Sequence, residues 1–497
     1  LFGREEETAV LIDAFNKVCQ GSIESVIISG YPGIGKTALV QEFAKYIASG
    51  QGQFICGCYR QFQEDIPYIG IIQAIQDLIR QILAEPKQKI KRWGNRIQQV
   101  LGINGGIMTD IIPELKLISG EFPSVREIPP RESENRFFQV FKSFLQIFIQ
   151  GEHPLVLFLD DLQWIDPASK KLIEAIMTDT SEGRLLFIGA YRTNEVDKSH
   201  PVFSLIQTME KSCVPVREIM LEALDKNNTQ DLIKDILKCA GKEIKALVNV
   251  VFRKSAGNPL CIKQILQNIY EDGYLYFSSS ESCWKYKDVG LQNINVEGNI
   301  VEYVVNRIKK LPQETVDVIK FASCLGKKFN IDTLSASLNQ SADWIEQALQ
   351  PALNMGIIIE EADKSIRDNL LSHSEQEKNG IFSVGYEFLH DRVKEAAYSL
   401  MTEAEKKAAH YRAGRAILEN IDSVSPGIGI FEAVDHLNLS IDLIRDVNER
   451  VELAEYNLKA GEKAKLSIAL SSALKYFETG IKLLPENSWN YNYNLSF

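Results

Sequence analysis

Residues 30–37 read Gly30-Tyr31-Pro32-Gly33-Ile34-Gly35-Lys36-Thr37 and fit the pattern G-x-x-x-x-G-K-[S/T]. That pattern is a phosphate-binding loop, and it fixes a ligand class and a local fold together. The glycines let consecutive backbone N–H groups turn toward one phosphate chain. Lys36 can reach the β- and γ-phosphates, and Thr37 offers a hydroxyl to Mg²⁺. The context agrees. Ser25-Val26-Ile27-Ile28-Ser29 reads as a buried strand, and Ala38 to Ala44 reads as a helix whose N-terminus favours an anion. The expected phosphate cradle is therefore Gly30, Pro32, Gly33, Ile34, Gly35, Lys36, Thr37 and Ala38.

A loop of this kind needs a metal anchor and a group that positions water. Leu155-Val156-Leu157-Phe158-Leu159 is an uninterrupted apolar run, as in a strand buried on both faces, and it ends in Asp160-Asp161. Carboxylates at the carboxyl end of a parallel strand sit where α/β folds bind ligands. Asp160 is expected to hold Mg²⁺ together with Thr37, and Asp161 to orient the attacking water. A further strand, Leu185 to Ala190, leads into Tyr191-Arg192-Thr193. An Arg there either contacts a γ-phosphate or caps the sheet edge. Gly257-Asn258-Pro259 lies in a helical region, where Pro259 either packs on an adenine or ends a helix. Phe388-Leu389-His390-Asp391 carries a lone His, which chemistry alone does not single out.

The chain of 497 residues is too long for one core. Strands alternating with helices predict an α/β domain with a largely parallel sheet over 1–218, carrying a helical insertion at about 67–150. A helical lid with a small hairpin is expected over 219–295, residues 219–272 showing no strand signal. A three-helix-plus-hairpin unit follows at 296–402, its hairpin pairing Gly356–Glu360 with Ile381–Val384. Residues 403–497 read as all helix. Small and aromatic residues around Ala460, Ala464, Ala473 and Tyr476 resemble a tetratricopeptide repeat, with a plain helical bundle as the alternative.

No apolar run is long enough to span a membrane, and no signal peptide opens the chain, so a cytoplasmic location is expected. The chain opens on Leu1 and closes in a helical pattern, as a fragment of a larger polypeptide would. Its net charge of −11 argues against a broad nucleic-acid surface. The eight cysteines are scattered, and Cys56 and Cys58 lack a second pair at zinc spacing.

Taken together, these motifs resemble the STAND class of P-loop ATPases. More closely, they resemble the ATPase module found in bacterial signalling proteins between a serine/threonine kinase and GAF and histidine-kinase domains. Leu1-Phe2-Gly3-Arg4-Glu5-Glu6-Glu7 matches the family's opening element, which implies that Arg4 lies near base and ribose. Leu157 to Pro167 matches the extended Walker B, and Gly189-Ala190-Tyr191-Arg192 the sensor strand, implying a γ-phosphate contact for Arg192. Gly257-Asn258-Pro259 matches the GxP element. Leu389-His390-Asp391 resembles the winged-helix motif whose His contacts the β-phosphate of ADP. Cys58-Tyr59-Arg60-Gln61 departs from the family's Lys-Phe-Asp-Gln-like run.

The resemblance implies ATP or ADP with Mg²⁺ as cofactors and a slowly hydrolysing signal-transduction switch. Its implied partners are linked or separate kinase and sensor domains, a protein on the C-terminal helices and a nucleotide-dependent oligomer. No kinase catalytic loop occurs in the chain. Two other functions remain open at this point, a DNA-binding regulator and an AAA+ motor. Residues 341–350, the candidate recognition helix, contain no Lys or Arg and two acids, which opposes the first.

Overall fold

The computed structural model describes residues 1–50, 52–61, 64–123, 130–151, 153–179, 183–238, 244–278, 283–287, 300–360, 385–419 and 429–485. They form two compact units, one of 1–64 and 68–297, the other of 65–67 and 298–497.

The first unit is built on a five-stranded parallel sheet of order β2-β3-β4-β1-β5. Its elements run α1 (Glu5–Cys19), β1 (Ile23–Gly30), α2 (Lys36–Ser49) and β2 (Gln53–Cys58). The helical insertion follows as α3 (Ile69–Leu83), α4 (Lys87–Leu101), α5 (Gly105–Ile111), α6 (Lys116–Ser119) and α7 (Pro130–Ile149). The sheet resumes with β3 (Leu155–Asp160), α8 (Pro167–Asp179), β4 (Leu185–Arg192), α9 (Pro201–Lys211) and β5 (Val216–Leu221). β4 is buried at every residue, because it lies between β3 and β1 with helices on both faces. One face packs Val26, Ile28, Val156, Leu186 and Ile188 against Leu11, Phe15, Leu39 and Phe43 of α1 and α2. Burying a side chain of this size stabilises by roughly 1.5–3 kcal/mol.

The expected domain limit at 218 cuts β5 in half. Residues 219–221, read as free of strand, complete it and pair in parallel with Ile28 to Gly30 of β1. β5 is an edge strand with alternating burial, Ile219 and Leu221 inward and Glu218 and Met220 outward, so it lacks the apolar run that marks the central strands. Three helices follow, α10 (Lys226–Leu237), α11 (Lys245–Ser255) and α12 (Pro259–Glu271), then the antiparallel pair β6 (Leu275–Ser278) and β7 (Cys283–Tyr286). Leu224, Ile233, Leu247, Val251, Ile262 and Ile265 form the core of this lid.

The second unit opens with helices Ile300–Ile308, Gln313–Leu325, Ile331–Leu338 and Ala342–Asn354, and a three-stranded antiparallel sheet of order β8-β10-β9. The strands are β8 (Lys328–Asn330), β9 (Ile358–Glu360) and β10 (Gly385–Phe388). Helices and a short sheet in this order are compatible with the expected three-helix-plus-hairpin unit. Phe329, Tyr386 and Phe388 stack across the sheet into the core made by Ile319, Leu334 and Leu349. The expected strand Ile381–Val384 lies outside the described residues. β9 pairs with Gly385–Phe388, Phe388 facing Ile358. Phe388 closes the strand, and the next helix starts at Asp391. β8, with three residues, was not anticipated. The remaining helices are Glu403–Glu419, Gly429–Asn438, Val447–Leu466 and Leu470–Leu483. Among the described residues no helix is long and apolar enough to cross a membrane.

Candidate functional site: the phosphate loop and the strand ends around it

The parallel sheet brings the carboxyl ends of β1, β3 and β4 together. β4 is hydrogen-bonded to both β1 and β3, and the register sets Gly30 opposite Arg192. Residues 30 through 37, 160 through 161, and 192 are thereby gathered on one edge of the sheet, as their strand-end positions predict.

In the loop itself Gly30, Gly33 and Gly35 have φ of 155°, 77° and 105°, values that side chains rarely adopt. Pro32 and Ile34 are buried beneath the turn, while Thr37 and Ala38 open α2 on its exposed side. The Lys36 ammonium donates to the carbonyls of Gly30 at 2.9 Å and Tyr31 at 3.2 Å, and so spans its own loop. Burial brings this ammonium down to about 8, against the pull of the Asp160 and Asp161 carboxylates.

Thr37 and Asp160 meet directly. The Thr37 hydroxyl donates to Asp160 Oδ2 at 2.6 Å. Asp160 Oδ1 accepts the Asp161 amide at 2.9 Å. Burial first, and then the Asp161 carboxylate, push the Asp160 carboxyl up to about 6. A hydroxyl and a carboxylate converging from two elements are the oxygen donors Mg²⁺ takes, so the residues present fit the ion.

Asp161 and Arg192 are partners. Arg192 Nε lies 3.0 Å from Asp161 Oδ1, and its Nη2 donates to Oδ2 at 3.3 Å. Nη1 reaches Glu195 at 3.1 Å, and the guanidinium lies 4.7 Å from the centre of the Trp164 ring. Both residues are buried, at 4% and 7% exposure. Gln163, which lies inside the extended Walker B match but is given no role there, locks the pair: its amide donates to Asp161 Oδ1 at 2.8 Å and accepts the Arg192 backbone N–H at 3.1 Å. Arg192 is thus neither a plain sheet-edge cap nor a free cation. The Cys58 thiol points at Asp161 Oδ2 at 3.9 Å, which gives the segment that departs from the family pattern a place beside the site.

Arg4 is buried and donates to the carbonyls of Glu222 at 2.6 Å and Ile34 at 3.4 Å, tying the chain start to the loop and to the end of β5. The lid also reaches the loop. Asn258 caps α12 by accepting from the Leu260 and Cys261 amides, and its Nδ2 donates to the Pro32 carbonyl at 3.0 Å. The Leu260 amide lies 3.3 Å from the Gly33 carbonyl. Pro259 is the first residue of α12, half-buried, and the residues that grip the loop are its neighbours. An Asn before a Pro at a helix start is the legible sign of the cap, but nothing local names the partner across the lid. His390 lies in the second unit and caps the helix Asp391–Ser399, its Nδ1 accepting the Arg392 amide at 3.1 Å.

A phosphate loop at the carboxyl end of a parallel sheet gives this unit the fold of P-loop nucleotide-binding domains. Residues 1–188 match the AAA ATPase domain family. That match supports the P-loop part of the resemblance drawn from the motifs. Among known proteins the chain is similar to hybrid signal transduction histidine kinase G of Dictyostelium discoideum, at 27% identity over all of this chain and 17% of that protein. It is also similar to the peroxide stress-activated histidine kinase mak3 of Schizosaccharomyces pombe, at 22% identity over 93% of this chain and 20% of that one. The chain therefore spans about a fifth of the length of these relatives. Among solved structures, a STAND protein with a tetratricopeptide repeat sensor from Pyrococcus horikoshii aligns with 97% of this chain and 57% of its own. The TM-score there is 0.46 and the identity 14%.

Proposed function

We propose that the chain is a nucleotide-controlled switch that binds ATP or ADP with Mg²⁺, hydrolyses ATP slowly and controls linked kinase domains. The observation that carries this reading is the latch between lid and loop, Asn258 and Leu260 on the carbonyls of Pro32 and Gly33. Any nucleotide-dependent shift of the loop acts on the first turn of α12 through these bonds, and a ligand moves such an equilibrium only through unequal contacts with its two states.

In this reading the loop amides and Lys36 hold the phosphates, Thr37 and Asp160 hold Mg²⁺, and Arg4 supports the loop from behind. Mg²⁺, when bound, neutralises charge developing on the phosphates. Arg192 has a choice of anions. A γ-phosphate competes with Asp161 for the guanidinium, and an Asp161 released from Arg192 gains acceptor sites for a water. Hydrolysis that must first break a buried ion pair is slow, as suits a timer. A motor turns over far faster, so rapid steady-state hydrolysis by the isolated chain argues for the AAA+ motor instead.

Pro259 and His390 are the residues proposed to respond to ADP, His390 through the β-phosphate contact that the resemblance implies. His390→Ala is expected to weaken ADP by about tenfold and ATP by less than about threefold. Calorimetric titration of both nucleotides measures this. Equal losses for the two remove His390 from the switch. Histidine-kinase output is proposed from the relatives, which are named as histidine kinases. The helix Ala342–Asn354 carries Asp343 and Glu346 and no Lys or Arg, so the winged helix is read as a packing element rather than a DNA reader.

A further inference from the structure

We propose that the first unit carries a second ligand site, at the opposite end of the sheet from the phosphate loop, for a small organic dianion with a compact apolar body. Phosphate monoesters and dicarboxylates share this chemistry. The site starts from a local reversal of charge. In a chain of net charge −11, α4 holds Lys87, Lys89, Lys91, Arg92 and Arg96 and not one Asp or Glu. Helical spacing sets Lys89, Arg92 and Arg96 along one side, while Gly94, Ile97 and Leu101 face the protein. Gly94 fixes that orientation, since a Cβ there would lie 2.3 Å from the Ile118 carbonyl oxygen of α6.

The three cations line a cavity of about 320 Å³. Its apolar wall is Trp93 stacked on Phe148 of α7, ring centres 5.0 Å apart and planes 26° from parallel. The far side is Gln53, the first residue of β2, with Gly151 and His153 before β3. One carboxylate lines it as well, Glu85, which accepts the Trp93 indole N–H at 3.2 Å and lies 3.9 Å from Lys89. Arg92 and Arg96 have no hydrogen-bond or ion-pair partner among the described residues.

Two guanidinia one turn apart, opening on one cavity beside an indole, suit a ligand with two negative charges and a flat or compact apolar part. The volume is that of a small-molecule pocket rather than of a nucleic-acid track. The cavity lies at the amino ends of β2 and β3, and Asp160 and the phosphate loop lie at carboxyl ends. A strand of six residues separates the two ends, roughly 20 Å.

The experiment titrates phenyl phosphate, phthalate and benzyl alcohol into the full chain, followed by heat and by tryptophan fluorescence. One-to-one saturable binding of at least one anion, and none of benzyl alcohol, is expected. Binding of phenyl phosphate alone assigns phosphate esters, and of phthalate alone dicarboxylates. Arg92→Ala with Arg96→Ala should weaken the anion by about tenfold or more, Arg92→Lys with Arg96→Lys should recover most of it, and Lys36→Ala should leave it within about twofold. No saturable binding, an unchanged affinity in the double alanine variant, no recovery in the double lysine variant, or a loss confined to Lys36→Ala overturns the site. The last result would place the anion on the phosphate loop.

Discussion

At the scale of single residues, the decisive feature is that Asp161 and Arg192 satisfy each other. Either one alone fits a catalytic role, and a sequence places both at strand ends, but it does not reveal that the two meet. The pair is buried and held by Gln163, and Glu195 also reaches the guanidinium. Asp161→Asn is expected to cost about 2 kcal/mol of stability, the usual loss when a buried charge-assisted contact is weakened while its partner keeps another anion. Denaturant unfolding reads this directly, and a loss below about 0.5 kcal/mol would mean that solvent reaches Arg192 freely. The same bonds explain why Lys36 and Asp160 were legible and Gln163 was not. The first two belong to motifs whose spacing is set by phosphate and metal chemistry, whereas Gln163 acts through contacts to Asp161 and Arg192 that only the closed sheet creates.

At the scale of elements, the lid's entry turn is where backbone geometry is least forgiving. Gly257 has φ of +78°, and a Cβ on it would lie 2.0 Å from the Leu224 carbonyl oxygen. Its own carbonyl accepts the Leu224 amide at 2.9 Å, so the turn cannot move aside without losing that bond. Gly257→Ala should therefore destabilise the first unit by about 3 kcal/mol or more, combining left-handed strain with a backbone clash. Gly21 serves as the control: its φ is +100° with nothing within 4 Å of a Cβ, so Gly21→Ala should cost only about 1 kcal/mol. Equal melting shifts for the two would mean that the Leu224 contact is soft. Long, strongly patterned elements were legible here. The apolar runs of β1, β3 and β4 and the 3.6-residue period of α3 gave each away. What escaped were β5 and β8. β5 alternates at a sheet edge, and β8 has three residues, too few to show any period. Both are defined by the strands they pair with rather than by their own residues.

At the scale of the whole molecule, the chain combines a unit built on a five-stranded parallel sheet and phosphate loop with a second unit of helices and a three-stranded antiparallel sheet. It is similar to a stretch of much longer histidine kinases, and control of an output domain is the role proposed for it. The sequence reached the ATPase fold because its motifs lie on long buried strands. It could not reach the latch, since Asn258 and Pro32 are 226 residues apart and meet only through tertiary packing. Everything proposed for lid, winged helix and His390 depends on a nucleotide being held at residues 30–37. Calorimetric titration of ADP with Mg²⁺ into the wild type and Lys36→Ala tests that claim most directly. The account predicts saturable one-to-one binding by the wild type and a loss of about a hundredfold or more in the variant, the loss of a charge-assisted phosphate contact. An unchanged affinity in Lys36→Ala, with the variant folded, would contradict it.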